Sequence, residues 1–146
     1  MKNLIALTAL TLAFVATAHA GDDADLTIEL TGLAKAEGHV YIAVYDNPDD
    51  WLGDDKVAGK QVAIADALVD ELVVATMSLP EGEYAISIFY DANDNGELDT
   101  NFIGIPKEPV ALSNNAKAKF GPPKYKDAVF SLTADGLTQR IEMTEI

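Results

Sequence analysis

Cysteine is absent from the 146-residue chain. Disulfides, thiolate nucleophiles, zinc–cysteine centres and an amino-terminal lipidated cysteine are therefore excluded. Positive charge is scarce: 10 Lys and Arg face 24 Asp and Glu, for a net charge of −14. So acidic a chain is a poor partner for nucleic acid and for anionic membrane surfaces. Histidine is nearly missing, with only His19 and His39, which leaves little for general-base catalysis. Long apolar runs are missing as well. Leu4–Ala16 is too short, and wrongly flanked, to span a bilayer.

That run reads instead as the core of a secretory signal. Met1-Lys2-Asn3 gives the positive start and Ala18-His19-Ala20 a small-x-small cleavage site, so residues 1–20 are expected to be a signal peptide. Residues 21–146 are then expected to form one domain, periplasmic or secreted, monomeric and without membrane insertion. His39 is its single histidine.

The apolar period in this domain is two. Leu26, Ile28 and Leu30 alternate with Thr27, Glu29 and Thr31, the pattern of a half-buried strand. His39–Asp46 alternates again, with apolar residues on both faces, as a central strand would. Gln61–Asp70 fits a helix face or the start of a strand. Glu71–Leu79 and Tyr84–Asp91 read as strands across Pro80-Glu81-Gly82-Glu83, and a hairpin is expected there. Ala128–Thr133 and Thr138–Thr144 read as a last hairpin across Ala134-Asp135-Gly136-Leu137. About seven short strands with turn signals between them imply an all-β fold, a single antiparallel β-sandwich.

Two loops interrupt the pattern. Asn47–Gly59 carries Asp49, Asp50, Asp54 and Asp55 around Trp51, the only tryptophan. A lone Trp there reads as an anchor pinning the loop to the core, with ligand stacking as the other use. Asp91–Lys126 holds Gly96, Gly104, Gly121, Pro106, Pro109, Pro122, Pro123 and Asn114-Asn115. Loops beyond about 15 residues are uncommon in compact domains unless they serve a function. This one reads either as a rigid surface for a partner or as a cap on the open end of the sandwich. Its basic run, Lys117, Lys119, Lys124 and Lys126, reads as a solvated face or as an anion-binding patch.

One motif carries chemistry. Asp91-Ala92-Asn93-Asp94-Asn95-Gly96-Glu97-Leu98-Asp99 has the spacing of a calcium loop. Calcium is a hard cation that takes six to eight oxygens. Asp91, Asn93 and Asn95 at positions 1, 3 and 5 can converge, and Gly96 permits the sharp turn. Glu97 would give its backbone carbonyl, and Asp99 would bind directly or through water. Position 12 departs from the motif, because Phe102 stands where a bidentate Glu belongs. The lead-in is a strand, so this is not an EF-hand. Asn101, a carbonyl near Thr100, water or Asp46 must complete the shell. Asp46 enters because Val40–Asp46 and Ala85–Asp91 are similar strands that both end in Tyr-Asp. Two neutral amides argue for weak binding, of order 10⁻⁴–10⁻³ M. The competing reading is a plain turn, since Asp-Asn-Gly is a turn signal by itself.

Leu79-Pro80-Glu81-Gly82-Glu83-Tyr84-Ala85-Ile86 and the run Tyr90–Glu108 resemble exported bacterial proteins grouped as the uncharacterised DUF2141 family. Ser113-Asn114-Asn115 and Phe120-Gly121-Pro122-Pro123 through Asp127-Ala128 fit as well. Pro109-Val110-Ala111-Leu112 stands where that family tends to carry Gly and an aromatic. The resemblance implies a periplasmic or secreted β-sandwich with no established activity. The Leu-Pro-x-Gly-x-Tyr turn is also similar to turns of transthyretin-like, prealbumin-type sandwiches. The function expected is a non-enzymatic, calcium-stabilised binding module for an envelope protein or glycan. The alternatives are a calcium-assisted hydrolase using carboxylates and a purely structural envelope protein.

Overall fold

The computed structural model describes residues 22–33 and 37–144. The expected signal peptide lies outside them. The alternating pattern builds β1 (Ala24–Thr31), β2 (His39–Tyr45), β3 (Ala58–Ala63), a one-turn helix α1 (Ile64–Ala67) and β4 (Leu68–Val69). After them come β5 (Leu72–Leu79), β6 (Gly82–Asp91), β7 (Val110–Leu112), a second one-turn helix α2 (Tyr125–Ala128), β8 (Phe130–Leu132) and β9 (Leu137–Glu142). The ambiguous stretch at 61–70 thus divides between the end of β3, α1 and β4. Asp70 and Glu71 close the β4–β5 hairpin with φ of 48° and 67°, the left-handed pair that a two-residue turn demands.

The result is the expected all-β sandwich. One sheet runs β4-β5-β1-β9, and the other β3-β2-β6-β7 with β8 also on β6. Leu26, Ile28 and Leu30 from the first sheet meet Val40, Val44, Ile86 and Ile88 from the second, all with 0% exposure. Burying each such side chain is worth about 1.5–3 kcal/mol. The β1–β9 pairing is parallel, in an otherwise antiparallel framework.

Both expected hairpins are instead crossings between the sheets. β5 pairs with β1 while β6 pairs with β2, so Pro80-Glu81 carries the chain from one sheet to the other. Likewise β8 lies on β6 and β9 on β1. A turn signal marks a reversal of direction and says nothing about which strand the chain meets next. The second crossing shows why its glycine is needed. Gly136 has φ +74°, and a Cβ there would sit 2.8 Å from the Asp25 carbonyl oxygen. The turn is pressed against β1 because β9 must run beside it.

The β2–β6 register fixes where the loops emerge. His39 pairs with Asp91 and Tyr45 with Ala85. At about 3.3 Å per residue, the ends of this pairing are roughly 20 Å apart. The loop after Asp91 and the loop after Tyr45 therefore leave from opposite ends of the sandwich.

Candidate metal centre

The strand parity that puts Tyr90 inward sends Asp91 to the outer face of its sheet, yet Asp91 is 0% exposed. The following loop folds back over it. The Asn95 N–H donates to Asp91 Oδ1 at 3.2 Å and the Gly96 N–H to Oδ2 at 2.7 Å. Gly96 makes this curl possible with φ +78°, a conformation costly for side chains with a Cβ.

The other predicted donors close around Asp99. Asn93 Nδ2 donates to Asp99 Oδ2 at 2.5 Å, and Asn95 Nδ2 to Oδ1 at 3.1 Å. Their amide oxygens accept from the backbone: Asn93 Oδ1 from the Asn95 N–H and Asn95 Oδ1 from the Glu97 N–H. Glu97 keeps its own side chain exposed. Asp91, Asn93, Asn95 and Asp99 thus share one hydrogen-bonded loop, with Glu97 joined to it through its backbone. Among the described residues no three His, Asp or Glu side chains form a ready metal cluster. The set here is two carboxylates and two amides.

Glu108 belongs to this loop, and its role is not apparent from sequence. It is 6% exposed. Its Oε1 accepts from the Ala92 N–H at 3.0 Å and its Oε2 from the Asp99 N–H at 3.1 Å. One buried carboxylate therefore ties both ends of the motif. The only hint in the sequence is an acid set between Ile105-Pro106 and Pro109-Val110. The ion pairs among the described residues are His39–Asp94, Lys126–Asp127 and Arg140–Glu29, apart from any made by Glu37. None of them neutralises Asp91, Asp99 or Glu108. Among the described residues their hydrogen-bond partners are backbone and amide N–H groups.

The suggested completing groups do not come in. Asp46 follows the opposite end of β2. Asn101 Oδ1 accepts the Ile103 and Ile105 N–H groups at 3.0 Å each, so it serves its own turn. Phe102 is 98% exposed. Asp91 and Asp99 supply carboxylate oxygens, whereas the two amides turn Nδ2 toward Asp99 and spend Oδ1 on the backbone, so a hard cation, which takes oxygen ligands, would need the amides to turn.

Neighbouring side chains respond to the loop. His39 Nδ1 lies 2.6 Å from Asp94 Oδ1. Tyr41 stacks on Phe89 with ring centroids 4.9 Å apart. Desolvation raises the Tyr41 pKa above its usual value, and the charges of Asp91 and Asp94 push it in the same direction.

The remaining motifs of the long loop are ties within the fold. Trp51 Nε1 donates to the Pro123 carbonyl at 2.9 Å, and the ring meets Tyr45 and Tyr125 edge-on. Trp51 is thus an anchor between two loops. Ser113 is buried and links β6 to α2, accepting from the Ile86 N–H at 2.9 Å and donating to the Ala128 carbonyl at 2.5 Å. Asn114 Nδ2 donates to the Val129 carbonyl at 2.8 Å, and Asn114 Oδ1 accepts from Gln139 Nε2 at 3.2 Å.

Residues 28–140 match DUF2141, a family described as an uncharacterized protein conserved in bacteria. No curated protein and no solved structure matches the chain.

Proposed function

The chain belongs to the DUF2141 family, and we propose that it is an exported, non-enzymatic binding module whose loop from Asp91 to Asp99 is ordered by calcium. Export rests on the signal-like pattern of residues 1–20. The observation that carries the calcium reading is the meeting of Asn93, Asn95 and Asp99 beside a buried Asp91, with neither carboxylate in an ion pair among the described residues. Turning either amide about its last bond brings Oδ1 toward Asp99 in exchange for the bond that oxygen accepts from the Asn95 or Glu97 N–H. The same three side chains then suit an ion rather than one another. Bound calcium supplies the positive charge that Asp91 and Asp99 lack. Glu108 holds Ala92 and Asp99 in place for it, and Glu97 offers a carbonyl. An ordered loop then presents a fixed surface to a protein or glycan of the envelope.

Thermal unfolding with millimolar calcium and with chelator tests this. A Kd of order 10⁻⁴–10⁻³ M predicts about 1.4–2.7 kcal/mol of stabilisation at 10 mM calcium. Asp91→Ala with Asp99→Ala should abolish that gain. A melting temperature indifferent to calcium, or a gain that survives the double substitution, refutes the site.

A further inference from the structure

The centre of the acidic loop holds a reactive dipeptide. Asn95 is the only asparagine of the chain that is followed by glycine. An asparagine amide can be attacked by the backbone nitrogen of the next residue, and glycine leaves that nitrogen unshielded because it has no Cβ. Asn95 and Gly96 are both exposed, so water reaches them.

Three hydrogen bonds arrange the groups that such a reaction uses. The nucleophile is the Gly96 nitrogen, whose N–H donates to Asp91 Oδ2 at 2.7 Å. Asp91 is thereby placed as the base for that proton. Its burial, at 0% exposure, and a second bond from the Asn95 N–H to Oδ1 hold it there. The electrophile is Asn95 Cγ. Its oxygen, Oδ1, accepts from the Glu97 N–H at 3.0 Å, a donor aimed where negative charge develops. That bond also closes a small ring containing both Cγ and the Gly96 nitrogen, which keeps the two reacting atoms close. The leaving group is Nδ2, which donates to Asp99 Oδ1 at 3.1 Å. Asp99 thus faces the nitrogen that turns positive as it takes up a proton.

We propose that Asn95 is a self-modification site, converted to a carboxylate by the groups around it. The Gly96 nitrogen gives its proton to Asp91 and forms a bond to Asn95 Cγ. The proton passes through water to Nδ2, the Cγ–Nδ2 bond breaks, and ammonia leaves. A five-membered succinimide remains, and water opens it. Attack at Cγ gives aspartate. Attack at the Asn95 backbone carbonyl gives isoaspartate, with the chain rerouted through the side chain. Either product sets a third carboxylate beside Asp91 and Asp99, and the change runs one way. Water is the only co-reactant, so the inference does not rest on the calcium reading.

The test follows the purified chain in chelator at neutral pH, folded and in denaturant at one temperature. Peptide mapping by mass spectrometry locates the amide-to-acid change, and protein isoaspartyl methyltransferase counts isoaspartate. The folded chain is expected to convert Asn95 at least about tenfold faster than the denatured one, a fraction of the ~10²–10⁴-fold typical of a positioned acid or base. Asn95→Gln, whose ring would be six-membered, should silence the site. Asp91→Asn should bring the folded rate down to the denatured one and leave the denatured rate unchanged, with circular dichroism confirming that the variant folds. The comparison of the natural chain with itself needs no substitution, so it decides the matter even where that variant does not fold. A folded rate at or below the denatured rate overturns the proposal, because the fold would then protect Asn95. Conversion at Asn93, Asn101 or Asn115 in place of Asn95 overturns it, as does a folded Asp91→Asn that reacts as fast as the natural chain.

Discussion

Asn93 and Asn95 precede β7, and Asn114 and Asn115 follow it. All four sit in irregular backbone, and all four spend both amide atoms on hydrogen bonds. The bonds differ in reach. Those of Asn93 and Asn95 end on Asn95, Glu97 and Asp99, between two and six residues away. Those of Asn114 and Asn115 end on Asp127, Val129, Gln139, Arg140 and Glu142, between 13 and 27 residues away. The first pair shapes a loop by bonds that stay within it. The second pair joins β9 of one sheet to the connections of the other. Asparagine in an unpatterned segment thus says little by itself. The reach of its bonds separates a loop that an ion can order from a joint that holds the domain together.

The comparison predicts unequal losses. Asn114→Ala strands the Val129 carbonyl and the Gln139 amide, and forces alanine to a φ of 59°. We expect a loss of about 3 kcal/mol in denaturant unfolding, the same in calcium and in chelator. A loss that calcium repairs would break the distinction between the two pairs.

Glu108→Gln probes the boundary, since Glu108 bonds at intermediate reach. Glutamine keeps one acceptor and turns an NH₂ toward either the Ala92 or the Asp99 N–H. The expected cost is about 1–2 kcal/mol, with hydrogen exchange accelerated at 92–107 and little changed in β1, β2 and β6. Uniform acceleration across the domain would make Glu108 part of the global framework and erase the contrast.

What could be read in the sequence follows the same rule of reach. The strands at Leu26–Leu30, Val40–Val44 and Tyr84–Asp91 were legible because alternation acts between neighbours. The spacing draws Asp91, Asn93 and Asn95 together, whereas in the fold the two amides close on Asp99 and Asp91 accepts backbone N–H groups instead; the need for Gly96 at a sharp turn was legible. The two sheet crossings were not. Pro80-Glu81 and Asp135-Gly136 announce turns, whereas pairing is decided by strands far along the chain. Glu108 was missed because its partners lie nine and 16 residues back. Asp46 looked like a ligand through local similarity of strand ends, and antiparallel pairing sets it at the far end.

The smallest expected effect compares the two ends through their tyrosines. Desolvation raises the pKa of Tyr41, helped by Asp91 and Asp94, and that of Tyr125, helped by Asp46 and Glu83. A raised value means the fold favours the neutral phenol. That contribution is fully present below the unfolded value of 10.0 and is lost as pH rises through the higher folded one. Calcium in the loop opposes the charge of Asp91. It should therefore lower the Tyr41 midpoint toward 10 and leave Tyr125 where it is, as ring-carbon NMR titration can resolve. Equal movement of both tyrosines would mean that calcium acts on the whole surface. Movement of Tyr41 alone ties the ion to the end of β6 and to the loop whose bonds stay local.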